Sequence, residues 1–299
     1  MRTPSRTTVV PIKDSGRWMW LSGLFVALTI AWTTATHAGV TGRIVIAGYG
    51  PELPVLQDLA RAFEKQAPGT AIDFNWDKTV RAIELVKRGE AHIAVTDQPD
   101  AVLSHTQIAW DGIAVIVNFA NPVKEVTTSQ VRALLTGQIA RWSDLDGADA
   151  TVDLLPRAPQ ANISTGLELA LGVPGKLTGR GRPIRVDQQA LSAISGHDTA
   201  VTYLSLNAAL QAQEDGIPIR ILTIDQVEPG EPTVRDGRYK LRRPVLLLTT
   251  LQPDPVTTAF LAFAVSPAGQ QLVRTMYASA DFVTPPANVQ HKEPMTPSS

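Results

Sequence analysis

The 299-residue chain has no cysteine. That excludes disulfides, thiolate metal centres, a cysteine nucleophile and a lipoprotein anchor, although it does not place the chain in the cytosol. It has almost no excess charge: 27 basic residues stand against 28 acidic ones, a formal net charge of −1. Such a balance gives no electrostatic footing for a nucleic-acid partner. Histidines are few. His92, His105, His197 and His291 are scattered without metal-ligand spacing and His37 lies near the N-terminus, so no metal and no cofactor is expected. A nucleophile elbow is missing too. Ser195-Gly196-His197-Asp198 has triad-like residue types, but side chains adjacent in sequence rarely meet triad geometry, and the segment reads as a loop. The expectation is a protein that is not an enzyme. What the chain does have is 44% hydrophobic residues beside 18% charged ones, the balance of a globular protein with a real core.

The N-terminus carries a three-part pattern. Arg2, Arg6, Lys13 and Arg17 form a basic leader, Trp18 to Trp32 is an apolar run of 15 residues, and Thr36-His37-Ala38 puts small residues at the outer positions of a cleavage site before Gly39. This predicts a secretory signal over residues 1–38, the run being short for a spanning helix. The competing reading is an uncleaved N-terminal anchor, which would confine membrane contact to this segment. Without residues 1–38 the chain carries 23 basic and 27 acidic residues, a net −4. An anion site would therefore depend on local dipoles and hydrogen bonds rather than on a general positive field.

From Gly42 strands and helices alternate. Arg43–Ala47, Ala71–Trp76 and Ala91–Val95 read as strands; Leu56, Leu59, Ala60 and Phe63 give the first helix its apolar stripe. Asp77 is placed to cap a second helix bearing Val80, Ile83 and Val86. This order predicts an α/β protein with parallel strands and packed helices. Ligands in such sheets bind beyond the carboxyl ends of the strands, which selects the loops Gly48–Pro51, Trp76–Thr79 and Thr96–Pro99. Helix N-terminal N–H groups at such loops can face an anion.

The stretch from Ile108 to Leu145 is the most informative. Ile113 to Val117 reads as a strand buried on both faces, and Asn118 to Pro122 as a turn. Thr127 and Gln130 are spaced as a capping box, Val131, Leu134 and Leu135 form one stripe, and Gly137 stands at a left-handed C-cap. Trp110-Asp111-Gly112 entering that strand, Asn121-Pro122-Val123, and a helix ending Leu-x-Thr-Gly-x-Ile-x-x-Trp-Ser-Asp-Leu at Leu145 together resemble the phosphate-binding proteins of bacterial ABC transporters. More broadly they resemble the type II periplasmic solute-binding superfamily. Asp198–Leu206, Val245–Thr249 and Ser266-Pro267 with Gly269-Gln270 continue the likeness, which runs from Gly42 to Pro285.

The resemblance implies a two-lobed type II binding-protein fold with mixed, mostly parallel sheets, helices on both faces and a hinge of crossover strands near Val115 and Val245. Lobe 1 would comprise residues 39–116 and 240–287, lobe 2 residues 117–239, and 288–299 a disordered tail. It implies an exported, periplasmic protein that captures an oxyanion, inorganic phosphate first, between the lobes for an ABC permease. Its ligand contacts fall at the three loops named above and at a fourth after Arg157. Tyr49-Gly50 stands where the family has a small hydroxyl residue after glycine; Lys78 and Thr79 stand within the second loop. Asp97 matches the family aspartate that accepts a proton from the ligand, favouring protonated phosphate over ionised sulfate. Arg157 would supply bidentate charge, with Ser164 and Thr165 displaced by three positions from the family's Ser-Gly-Thr. These departures keep open an alternative, an envelope domain that has lost phosphate capture and serves sensing or protein interaction.

Overall fold

The computed structural model describes residues 39–77, 81–158, 162–179 and 181–280; the expected signal segment, Lys78, Thr79 and the tail lie outside them. The chain opens with β1 (Gly42–Gly48), α1 (Leu53–Gln66), β2 (Thr70–Trp76), α2 (Ala82–Lys87) and β3 (Ile93–Thr96). Side chains alternate across a strand, and β1 uses this to serve two layers. Ile44 and Ile46 point into a cluster with Leu56, Leu59 and Phe63 of α1, whereas Val45 and Ala47 face Val86 of α2. Helices therefore cover both faces of this part of the sheet. The second helix begins later than its sequence suggested. Arg81, not Asp77, occupies its N-cap, without a side-chain bond to the backbone.

No helix follows β3 among the described residues. The chain passes directly into β4 (Ser104–Asn118), a single strand of 15 residues. Then come β5 (Glu125–Val126), α3 (Thr128–Leu135), β6 (Asp153–Leu154), α4 (Asn162–Leu171), α5 (Asp187–Gly196), β7 (Ala200–Ser205), α6 (Leu206–Glu214), β8 (Ile219–Ile221) and β9 (Thr223–Ile224). The polar connection over Glu228–Gly237 contains a short helix, α7 (Glu231–Arg235), where Thr233 Oγ1 accepts from the Gly230 N–H at 3.1 Å. The chain returns through β10 (Arg242–Thr249), α8 (Pro255–Val265), α9 (Pro267–Val273) and β11 (Ala278–Ser279).

The main sheet runs β2-β1-β3-β10-β4-β7-β6. β1 pairs in parallel with β2 and β3, and β6 with β7; β10 lies antiparallel to β3 and β4, and β4 antiparallel to β7 and β8. β4 therefore belongs to two ladders. Up to Gly112 it pairs with β10, and from Ile113 with β7. The changeover falls at Gly112, close to Val115 and Val245, where a residue without a side chain lets the strand thread between neighbours. A Cβ there would lie 2.8 Å from side-chain atoms of Leu206 and Val234. Apolar side chains segregate about this step: Ile108, Ala109 and Val245 pack with α1, α8 and α9, while Ile113–Val117 pack with α3, α4 and β7. Leu241 and Ala278 join the second cluster.

Local signals were realised closely. Thr127 and Gln130 form the reciprocal capping box, Gly137 has φ +74°, and Asp254 and Ser266 each cap a helix whose first residue is proline. Trp142 packs, 1% exposed, its indole Nε1 donating to the Thr199 carbonyl at 2.9 Å. Among the described residues no single helix is long and apolar enough to cross a membrane.

Candidate functional site

The first loop leaves β1 at Gly48, opposite Trp76 in the β1–β2 register. A Cβ on Gly48 would stand 2.5 Å from the Trp76 ring, so glycine is what lets the indole close over the strand end. The Trp76 Nε1–H donates to the Gly50 carbonyl at 3.1 Å, and Gly50 itself has φ +150°, a region that favours glycine. Tyr49 and Gly50 are thereby held on the wall of a cavity of about 630 Å³.

Glu52 follows, at the N-cap of α1, but its carboxylate does not cap the helix. It accepts from Arg243 Nη2 at 2.5 Å, and Arg243 also donates from Nε and Nη2 to Asp111 Oδ2 at 3.1 and 2.8 Å. Ser205 Oγ donates to the other Asp111 oxygen at 2.8 Å. Glu52, Asp111 and Arg243 are each 1% exposed. Burial pushes the Asp111 carboxyl up to about 6, against the pull of Arg243. Burial disfavours the Arg243 charge, and the neighbouring Glu52 and Asp111 more than reverse this, so the guanidinium stays ionised. Arg243 Nη1 and Glu52 Oε2 are buried with no hydrogen-bond partner among the described residues. This cluster sits at the β4 changeover and was not foreseen from the sequence. Trp110-Asp111-Gly112 marks the entry to a strand in the sequence, without a sign that Asp111 is half of a buried ion pair.

Asp97, at the end of β3, is 5% exposed. Thr165 Oγ1 donates to its Oδ2 at 3.1 Å, which joins two of the predicted residues. Burial raises the Asp97 carboxyl above its ordinary value, partly offset by Arg243 and the Thr165 hydrogen bond. The contact needs Gly166: a Cβ there would lie 2.7 Å from Arg243 Cβ and 3.1 Å from Asp97 Oδ2. Ser164 has a different job. Its hydroxyl donates to the Ala158 carbonyl at 2.9 Å and accepts from the Tyr203 hydroxyl at 3.0 Å, so its only proton is committed to the scaffold.

Arg157 lies on the cavity wall with its side chain 6% exposed. Nη2 donates to Asp187 Oδ1 at 2.7 Å, whereas Nε and Nη1 are buried without a partner among the described residues. Buried donors normally find an acceptor, and a guanidinium with unmet donors on a cleft wall is a ready seat for an oxyanion. Trp76, Asp77, Ile163, Arg185, Val186 and Asp187 share the wall. The structure thus brings Tyr49, Gly50 and Arg157 to one cavity and pairs Asp97 with Thr165 away from the lining, while Ser164 is built into the wall's support. His92, one of the scattered histidines, accepts the Val45 N–H at Nδ1 and serves the fold.

The chain is similar to several solved structures. One is a phosphate ABC transporter substrate-binding protein from Clostridium perfringens with bound phosphate (TM-score 0.70, 24% identity, 80% of this chain and 99% of that one). Another is an ABC-type phosphate transport receptor from Vibrio cholerae (TM-score 0.70, 23% identity, 80% and 100%). At such identity the likeness shows the fold, the two-lobed α/β architecture. In sequence, the phosphate-binding protein PstS 2 of Streptococcus agalactiae is 31% identical over 111 residues, 35% of this chain and 38% of that protein. The match therefore spans well under half the length of that relative. PstS of Bacillus subtilis is 22% identical over 210 residues, 67% and 68% of the two chains. The family model of the PBP superfamily domain matches residues 33–268, most of the chain and every candidate residue discussed above, and the protein belongs to that superfamily.

Proposed function

We propose that the protein is an exported solute-binding protein, without catalytic activity, that captures phosphate in its cleft and delivers it to an ABC-type permease. The observation that carries this reading is the pair of buried, unmet donors on Arg157 at the cavity wall. The relatives named as phosphate-binding proteins and the phosphate-bound structure of similar fold support the choice of anion. The leader over residues 1–38 supports export to the periplasm. Arg157 supplies the charge, Gly50 and Thr79 backbone or hydroxyl donors, Lys78 a second cation, and Tyr49 the rim. Asp97, held by Thr165 behind the lining, meets the ligand as proton acceptor only when the lobes close. Lobe 1 (residues 39–116 and 240–287) and lobe 2 (117–239) close about the step at Gly112, because a ligand touching both favours the closed state.

The test is isothermal titration of phosphate, with sulfate as control, into protein stripped of bound anion. Phosphate should bind and sulfate should not. Arg157→Ala should lower phosphate affinity by about 100-fold or more, the loss of a charge-assisted contact at a buried site, with the far-ultraviolet spectrum intact. Unchanged affinity in that variant would remove Arg157 from the site, and silence toward phosphate in folded wild type would turn attention to a protein-interaction role.

A further inference from the structure

As it stands, before any closure of the lobes, the cleft has more room and more apolar wall than a bare oxyanion needs. Its volume is about 630 Å³, whereas a tetrahedral oxyanion fills the room of roughly two or three waters at ~30 Å³ each. The lining is also largely apolar. Tyr49, Leu53 and Trp76 come from the β1–α1 and β2 side, and Ile163 and Val186 from the α4 and α5 side. Val186 is 52% exposed, among the most open large hydrophobic side chains described. Organic-ligand sites have this composition, apolar walls with a few placed polar groups.

Trp76 adds preorganisation. Its indole is held at two points, by the hydrogen bond to the Gly50 carbonyl and by the close approach of Gly48, and it still lines the cavity. An aromatic ring already fixed in place loses little rotamer freedom when a ligand packs on it. Arg157, whose Nε and Nη1 are buried without a partner among the described residues, lines the same cavity. Resting on the anion-binding reading above, we propose that the cleft accepts phosphate monoesters or phosphonates with an aromatic or apolar body, the anionic head at Arg157 and the body against Trp76 and Val186.

Titrating the purified protein with inorganic phosphate, phenylphosphonate and glycerol phosphate tests this. Phenylphosphonate should bind about tenfold tighter than phosphate, the worth of burying one aromatic ring on a preformed surface. Glycerol phosphate, with its polar body, should lack that advantage. Val186→Ser, a substitution suited to the N-cap of α5, should cut the phenylphosphonate-to-phosphate affinity ratio about threefold. A ratio unmoved by Val186→Ser overturns the placement of the body. Phosphate binding with phenylphosphonate excluded overturns the inference and leaves the phosphate reading standing. Phenylphosphonate binding without phosphate upholds the inference and sets inorganic phosphate aside, and binding of none of the three overturns both.

Discussion

Replacing Arg243 with leucine tests the buried ion cluster most sharply. The guanidinium reaches Glu52 and Asp111 at 2.5–3.1 Å, and all three residues are 1% exposed. Leucine fills part of the space and leaves two carboxylates, with Asp97 near them, in a dry site without their cation. Breaking a buried pair from one side costs about 3–5 kcal/mol. Two acids are stranded here, so the upper end, about 5 kcal/mol at pH 7.5, is the expectation. Proteins are typically stable by about 5–15 kcal/mol, so the variant keeps a reduced but measurable margin. pH supplies the signature. Arg243 now holds down the carboxyls of Asp97 and Asp111, and without it both rise further above their unfolded values. A carboxyl raised in the folded state binds its proton more tightly there, so it favours folding at low pH, and that benefit is lost as pH rises through the folded value. Every tenfold change in proton affinity is worth about 1.4 kcal/mol. Urea unfolding followed by tryptophan fluorescence should show the deficit of Arg243→Leu shrinking by about 1–3 kcal/mol between pH 7.5 and 5.5. An equal deficit at both values would refute the reasoning, because it would assign the loss to packing rather than to stranded charge.

Three further predictions concern the same framework. In the wild type, Asp111, pushed up to about 6 from an ordinary 3.8, contributes stability that is full below about pH 4 and is lost as pH rises through about 6; Asp111→Asn should flatten the melting temperature against pH across that window, and a slope unchanged by the substitution would count against the assignment. Gly112→Ala should cost about 1–3 kcal/mol in urea titrations, since its methyl group meets Leu206 and Val234 at 2.8 Å. Thr127→Ala should cost about 1 kcal/mol by removing the hydroxyl that accepts the Gln130 N–H at 3.1 Å, and a change below about 0.3 kcal/mol would show that the cap is redundant.

Features set by near neighbours in sequence were legible from it. The capping box of α3, the proline-led starts of α8 and α9, and the two-sided burial of Ile113–Val117 depend on residues a few positions apart. The cleft loops after β1 and β2 followed from the strand–helix order, and both contribute to one cavity. Features set by distant partners left no such trace. Glu52 and Arg243 are separated by 191 positions, and nothing near either marks it as half of a buried pair. Asp187 takes one edge of Arg157 from 30 positions away, which narrows the share of that guanidinium free for ligand. Asp77 misled for a local reason: a strand-ending Asp serves a turn as readily as a helix cap, and α2 starts only at Ala82. The partners of the Ser164 hydroxyl depend on the packing of Tyr203, again far along the chain.

The placement of β10 has a consequence for the order in which the molecule can assemble. β3 finds its antiparallel neighbour only in Leu246–Leu248, about 150 residues later in the chain, and the first half of β4 pairs with the same strand. The apolar cluster around Ile113–Val117 draws almost entirely on the interval between, up to Leu241. In a chain emerging from its N-terminus, that inner interval can close on itself while the edge of β3 still waits, unpaired and apolar, for the last quarter of the sequence. Non-local pairing of this kind is slow and exposes strand edges on the way.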